Sequence, residues 1–129
     1  MHTPDFDGEL PKRMEQLEAI LGTRTGWTLI GSSLGGLMAA LFAMQHPRQI
    51  RKLVLLAPAL MLPEFRKRQD KPISIPTIII QGTRDEIVPL ASTRKLAEKF
   101  FISLAYIVVD DDHRLHKTAE GLDWRKLLE

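Results

Sequence analysis

Three residues of this 129-residue sequence, Ser33, Asp85 and His113, are of the types that together perform nucleophilic acyl transfer. A serine hydroxyl is a poor nucleophile at neutral pH, so it needs a base, and the base needs a carboxylate that orients it. Ser33 is the central serine of a G-x-S-x-G pattern, GSSLG at residues 31–35, and the three residues follow in the order Ser, Asp, His. The hypothesis from these residues is a nucleophilic serine; the alternative is that GSSLG is only a structural turn.

Each of the three residues follows an apolar segment that predicts a β-strand. Ser33 comes after the run at 27–30 and opens a segment, 34–46, that is apolar almost all round and predicts a buried helix. Asp85 lies four residues after the run at 77–81, and His113 lies four residues after 105–109. Because parallel strands gather functional loops at their carboxyl ends, we expect these loops to be neighbours. A tight turn at Ser33 requires small flanking residues and a strained backbone.

Helical and strand patterns alternate along the rest of the chain. The strand segments are 27–30, 50–56, 77–81 and 105–109, and the unbroken apolar run at 77–81 predicts a strand covered on both faces. Helices are predicted over 10–21 (with Gly22 as the C-cap), 34–46, 90–101 and 118–128, and residues 58–76 read as a polar loop. This order predicts a single α/β domain over residues 1–129, a three-layer sandwich with a mainly parallel sheet.

Composition excludes several classes of protein. The absence of cysteine excludes disulfides, thiolate catalysis and Cys-based zinc sites. No run approaches the roughly 18 apolar residues of a membrane span, and the polar, acidic start is not a signal peptide, so we expect a cytoplasmic protein with no membrane partner. Residues 48–71 carry seven basic and two acidic side chains. We predict that this stretch is a solvated loop rather than a nucleic-acid site.

The sequence resembles the α/β-hydrolase family, in particular small serine esterases without a cap domain. The resemblance covers residues 27–116 and is carried by GSSLGG at 31–36, His46-Pro47 with IRKLVLLAPA at 50–59, PTIIIQGTRDEIVP at 76–89 with its G-x-x-D-x-x-V-P acid loop, and VVDDDHRL at 108–115. It implies Ser33 as the nucleophile, Asp85 as the triad acid and His113 as the general base. It also implies the backbone N–H of Leu34 as the first oxyanion donor, with no cofactor and no metal.

Neighbouring residues offer alternatives to this assignment. Glu86 adjoins Asp85, but the acid-loop pattern assigns the role to Asp85. His116 lies further from the strand end than His113, so we expect it at the surface. The three acids at 110–112 raise the question of a metal site, but consecutive loop residues do not easily face one ion. We expect these acids to build the loop and to favour protonation of His113.

The family resemblance also implies strands ahead of the first helix, and this sequence has almost no residues for them. The segment 3–6 resembles the end of the last of those strands, and the loop that supplies a second oxyanion donor would be absent. Losing one donor typically costs about 10²–10³ in rate. The strand at 27–31 would then be an exposed apolar edge, which invites pairing with another chain. We therefore expect either a fragment of a longer chain or a homodimer formed through this edge.

The predicted function is a serine hydrolase that cleaves small carboxylic esters or thioesters through an acyl-enzyme. The 17 residues between Pro58 and Pro76 are too few to build a cap, so we expect an open site that selects substrates loosely. Two alternatives stay open. One is the same triad used as a peptidase, and the other is a non-catalytic or crippled hydrolase fragment that acts in binding or assembly.

Overall fold

The computed structural model describes residues 4–68 and 72–129 of the chain. The strands in this part are β1 (Trp27–Ser32), β2 (Ile50–Leu56), β3 (Thr77–Gly82) and β4 (Leu104–Val109). The helices are α1 (Leu10–Leu21), α2 (Leu34–Gln45), α3 (Pro63–Arg66), α4 (Leu90–Phe100), α5 (His116–Gly121) and α6 (Trp124–Leu128). A 3-10 turn at Pro47–Gln49 leads into β2.

The four strands form one parallel sheet in the order β1-β2-β3-β4. In its register, Leu55 of β2 lies between Gly31 of β1 and Ile79 of β3. Because the strands run in the same direction, their carboxyl ends meet at one edge of the sheet. The loops that follow β1, β3 and β4 therefore begin at the same edge of the sheet. The predicted α/β fold class with a parallel sheet is confirmed.

Apolar side chains cover both faces of the sheet. Ile79 and Ile80 are fully buried, and adjacent residues of a strand point to opposite faces. The larger cluster joins the sheet to α1, α2 and α4, and it includes Leu17, Leu21, Leu37, Phe42, Leu53, Leu55, Ile79, Ala97 and Phe100. The smaller cluster contains Ala57, Ile80 and Leu115. Thus α1, α2 and α4 pack on the face that contains Ile79, and Leu115 at the start of α5 packs on the face that contains Ile80, so β3 is covered on both faces as its unbroken apolar run predicted.

The connection between β2 and β3 differs from the polar loop that the sequence predicted. It contains α3, and Phe65 of that helix is fully buried with its ring 5.2 Å from the ring of Phe100. Ile73 is also buried, and its N–H donates to the Phe100 carbonyl. The apolar residues of this segment have no regular period, so their burial left no pattern to recognise. Asp70 and Lys71 of the basic stretch lie outside the described residues.

The single helix predicted over 118–128 is wrong, because α5 ends at Gly121 and α6 begins at Trp124. The Asp123 side chain accepts a hydrogen bond from the N–H of Lys126 and caps α6. An aspartate competes with the helix backbone in this way and favours a helix start over a helix interior. The Trp124 indole N–H donates to the Ala119 carbonyl and fixes the corner between the helices.

Two further findings concern the first described residues and the question of a membrane-spanning helix. Residues 4–7 have no regular structure, so the strand end expected at 3–6 is not found there, and Thr3 lies outside the described residues. None of the helices described for 4–68 and 72–129 has the length and apolar character needed to cross a membrane.

Candidate active site

Ser33 lies between β1 and α2 with a backbone that few side-chain-bearing residues adopt. Its φ is 53° and its ψ is −115°, in a region where non-glycine residues are strained. Hydrogen bonds hold this conformation: the Ser33 N–H donates to the Leu56 carbonyl at 2.9 Å, and the Ser33 carbonyl accepts from the Ala59 N–H at 3.0 Å. The serine is therefore anchored to the end of β2 and to the loop that follows it.

The glycines around Ser33 have unequal roles. A Cβ at Gly31 would lie 2.3 Å from the Gly35 carbonyl oxygen, so the helix could not follow the strand so closely. A Cβ at Gly36 would lie 2.8 Å from Cβ of Pro58, whereas at Gly35 nothing lies within 4 Å. The expectation of small residues on both sides of Ser33 holds for Gly31 but not for Gly35. Gly36, just outside the five-residue pattern, makes the second close approach.

His113 lies in the loop after β4 and contacts both of the other predicted site residues. Its Nδ1 is 3.0 Å from Oδ2 of Asp85, and its Nε2 is 3.0 Å from Oγ of Ser33. Because an ionised carboxylate can only accept, Nδ1 carries the ring proton when Asp85 is charged, and Nε2 then faces the serine hydroxyl as an acceptor. The His113 side chain is 19% exposed and that of Asp85 is fully buried, so solvent reaches the imidazole but not the carboxylate.

The Asp85 carboxylate is held by the backbone that follows it. Its Oδ1 accepts from the N–H groups of Ile87 at 2.9 Å and Val88 at 2.8 Å. Burial raises the pKa of Asp85, but the hydrogen bonds from Val88, His113 and Ile87 together lower it by a larger amount. The net pKa therefore lies below the usual value of 3.8. The carboxylate is thus ionised at neutral pH and available to the imidazole.

Backbone hydrogen bonds join the loop that carries Asp85 to the loop that carries His113. The N–H of Thr83 donates to the Val109 carbonyl at 2.8 Å, and the N–H of Arg84 donates to the Asp111 carbonyl at 3.0 Å. A Cβ at Gly82 would lie 2.2 Å from that same Asp111 oxygen, so glycine is required for the approach. Sequence reasoning missed this role, although a glycine that ends a β-branched strand is a signal of close backbone approach.

The three consecutive acids build the histidine loop, as expected. Asp110 pairs with Arg84 at 3.1 Å, with both side chains exposed. The Asp111 carboxylate accepts from the Thr118 hydroxyl at 2.7 Å and backbone N–H at 3.0 Å, and from the Asp112 N–H at 2.8 Å. The Thr118 hydroxyl is the leading cause that lowers the pKa of Asp111. Within residues 4–68 and 72–129, no group of three or more His, Asp or Glu side chains is arranged to hold a metal ion.

The other sequence candidates lie around this centre. Leu34 is the first residue of α2, and the N–H groups of a first helical turn have no acceptor within the helix and lie at its positive end. Glu86 and His116 are both exposed, and the surface position of His116 is as expected. An open pocket of about 780 Å³ lies beside His113 and is lined by residues 83–87 and 112–114.

The fold and this arrangement define a class: a parallel α/β sheet with a strained serine at its carboxyl edge. This serine contacts a histidine from a later loop, and the histidine in turn contacts an aspartate from another loop. Residues 4–73 match the α/β hydrolase fold family, and this match covers more than half of the sequence. The chain therefore belongs to the α/β-hydrolase fold family, as the sequence motifs indicated.

Solved structures agree with this family. An α/β serine hydrolase homologue from Coxiella burnetii is 22% identical with a TM-score of 0.74, and the match covers 97% of this chain and 60% of that one. A predicted CIB-like hydrolase from Thermoplasma acidophilum is 22% identical with a TM-score of 0.71, covering 94% and 58%. Mouse α/β hydrolase domain-containing protein 10 is 21% identical with a TM-score of 0.70, covering 95% and 69%. At these identities the likeness is one of fold. No curated protein matches the sequence.

Proposed function

We propose that the protein is a serine hydrolase that cleaves small carboxylic esters or thioesters, with Ser33 as nucleophile, His113 as general base and Asp85 as the acid of the triad. The observation that carries the proposal is the His113 ring, whose two nitrogens lie 3.0 Å from Asp85 Oδ2 and 3.0 Å from Ser33 Oγ. These distances are within the hydrogen-bond reach that proton transfer requires.

In the first half of the reaction, Ser33 Oγ attacks the carbonyl carbon of the substrate while His113 Nε2 takes the hydroxyl proton. Asp85 stabilises the imidazolium that forms, and the N–H of Leu34 donates to the oxyanion at the positive end of α2. Collapse of the tetrahedral intermediate breaks the ester or thioester bond. The leaving alcohol or thiol takes the proton from His113 Nε2, and the acyl group stays on Ser33.

In the second half, His113 Nε2 takes a proton from a water molecule, and the hydroxide attacks the acyl carbonyl. The second tetrahedral intermediate collapses with return of that proton to Ser33 Oγ, which releases the carboxylic acid and restores the free serine. Every proton passes through His113, so the reaction needs no cofactor.

Small substrates are favoured because the described part of the segment between β2 and β3 packs into the core and does not form a cap over the active site. Its residues Leu60, Phe65, Ile73 and Ile75 are buried in the core, so the part of this segment that is described is tied to the body of the sheet. The pocket beside His113 is open and bordered by the charged side chains of Arg84, Glu86 and Arg114.

The test is the intact mass of the folded protein after exposure to a fluorophosphonate, which reacts with activated serines. We expect one adduct on the wild-type chain, none on Ser33→Ala, and one on the matched control Ser32→Ala, in which the neighbouring exposed serine is removed. Turnover of acetyl and butyryl esters, a thioester and a peptide then separates the esterase from the peptidase alternative. An adduct that persists in Ser33→Ala, or no adduct on folded wild type, would contradict the proposal and favour a non-catalytic role in binding or assembly.

A further inference from the structure

A buried amide lies directly behind the Asp85 carboxylate. Gln81, near the end of β3, is fully buried. Its Nε2 donates to the Val88 carbonyl at 2.9 Å and to Oδ2 of Asp85 at 3.3 Å. Its Oε1 accepts a short hydrogen bond from the Tyr106 hydroxyl of β4. Both amide protons and the amide oxygen of Gln81 are therefore engaged.

The surroundings of Gln81 allow only one orientation of its amide. A flipped amide would place Oε1 against the Val88 carbonyl and the Asp85 carboxylate, where acceptor would face acceptor. Since Nε2 must face these two groups, Oε1 must face Tyr106, and the phenol must be the donor. Tyr106 also pairs with Ile79 across the sheet, so its ring is set by the β3–β4 register.

The charged groups around Tyr106 come from two further elements. The Arg94 guanidinium of α4 lies 5.3 Å from the centre of the Tyr106 ring and pairs with Glu98 at 3.0 Å. Burial is the main cause that raises the pKa of Tyr106, while Arg94 opposes the rise and Asp85 and Glu98 add to it. The phenol therefore keeps its proton throughout the neutral range and remains a donor.

We propose that Gln81, locked by Tyr106, is a positioning residue that fixes the Asp85 oxygen to which His113 is bound. Oδ2 of Asp85 is shared by the ring of His113 and the amide of Gln81, while Oδ1 is held by the two backbone N–H groups of residues 87 and 88. Among these contacts, the Gln81 amide is thus the one group besides His113 that donates to Oδ2 of Asp85. The expected effect on kcat rests on the function proposed above, whereas the expected effect on the hydrogen bond between His113 and Asp85 does not.

The first test is a double-mutant cycle on ester turnover with Gln81→Leu and Tyr106→Phe. Because a hydrogen bond to a charged group is worth more than a neutral one, we expect kcat to fall about 10-fold in Gln81→Leu and about 3-fold in Tyr106→Phe, with KM within about 2-fold. Tyr106 acts only through the amide, so the double variant should match Gln81→Leu alone. Ile79→Val, buried on the same strand, is the control: it should lower stability and leave kcat unchanged.

The second test needs no activity. In the proton NMR spectrum of the wild-type chain at acidic pH, the Nδ1–H of His113 bound to Asp85 should give a strongly downfield resonance. We expect Gln81→Leu to abolish it and Tyr106→Phe to shift it upfield, and the second variant suffices if the first does not fold. If wild type hydrolyses no ester but the resonance responds, the proposed function fails and the positioning role stands. Additive losses in kcat or an unaltered resonance in Tyr106→Phe would overturn the inference.

Discussion

At the scale of single residues, two neighbouring carboxylates of the site serve different purposes. Asp85 accepts from two backbone N–H groups and from His113, so its charge is directed at the imidazole. Asp111 accepts from the hydroxyl and N–H of Thr118 and from the N–H of Asp112, so its charge holds the histidine loop to the start of α5. Both carboxylates have a pKa below the ordinary value, but different groups lower it. For Asp85 these are the N–H groups of Val88 and Ile87 and the His113 ring, whereas for Asp111 they are Thr118 and the Asp112 N–H.

The lowered pKa of Asp111 predicts a pH-dependent stability difference for Asp111→Asn. The folded pKa is below the ordinary value of 3.8, so the stabilisation by the ionised carboxylate is fully present above pH 3.8 and is lost as pH falls through the folded pKa. We expect the urea midpoint of Asp111→Asn to lie below that of wild type at pH 7, and the difference to shrink at a second pH well below 3.8. A difference that is independent of pH would show that the charge is not its cause.

The control for this experiment is Asp110→Asn. Asp110 and its partner Arg84 are both exposed, and exposed ion pairs contribute only about 0–1 kcal/mol. We expect Asp110→Asn to unfold close to wild type at both pH values. If Asp110→Asn lowered the urea midpoint as much as Asp111→Asn does, the total charge of the histidine loop, rather than the Thr118 contacts, would determine the stability of the protein.

At the scale of elements, the junction of β1 and α2 determines how the serine is presented. The strand and helix lie so close that a Cβ at Gly31 would clash with the Gly35 carbonyl oxygen, and a Cβ at Gly36 would clash with Pro58. The Ser33 N–H donates to the Leu56 carbonyl, and the Ser33 carbonyl accepts from the Ala59 N–H, so the turn is fixed to the end of β2 and to the loop that follows. The strained φ of Ser33 is therefore a consequence of packing at both flanks rather than of the turn sequence alone.

This packing predicts unequal effects of two alanine substitutions in the same motif. Gly31→Ala places a methyl group 2.3 Å from a backbone oxygen, so we expect a loss of about 3 kcal/mol in the free energy of unfolding. Gly35→Ala has open space and helical surroundings, so we expect a change between zero and a gain of about 1 kcal/mol. Chemical denaturation of both variants measures the difference. Equal losses would mean that a group outside the described contacts covers Gly35.

At the scale of the whole molecule, the sheet ends at β1 and β4 in the part of the chain that is described. The side chain of Ile30 on β1 is 42% exposed, and that of Ile107 on β4 is 41% exposed. The matched region spans 58% of the length of the Thermoplasma hydrolase and 60% of the Coxiella homologue. An uncovered strand edge next to exposed apolar side chains favours pairing with another strand.

We propose that a second copy of the chain pairs along the β1 edge. A lysine on this strand should oppose pairing, so we expect Ile30→Lys to lower the dimer fraction at least about 10-fold. Ile107→Lys, which adds the same charge to the β4 edge, should leave the fraction unchanged. Sedimentation over a range of concentrations measures both. A wild-type chain that is monomeric at every concentration, or equal effects of the two lysines, would contradict pairing through β1.

The sequence by itself determined the four strands, the helices α1, α2 and α4 and the residue types of the site, because all of these depend on short-range patterns. The unbroken apolar run of β3 predicted burial on both faces, and the glycine after α1 predicted where that helix ends. Asp85 and His113 could be placed at one sheet edge because each lies four residues past the end of a predicted strand, and parallel strands align those ends. The contacts at 3.0 Å that join them to each other and to Ser33 agree with that expectation.

Tertiary structure alone decided the features that depend on contacts between residues distant in the chain. The burial of Phe65 against Phe100, the requirement for glycine at Gly82, and the lock of Tyr106 on Gln81 join residues 25 or more positions apart, and no local period records them. The break between α5 and α6, by contrast, rests on local contacts of Asp123 with Lys126 and of Trp124 with Ala119, a short-range signal that the helix prediction over 118–128 overlooked. Periodicity reports which face of an element is buried, whereas packing determines what that face meets.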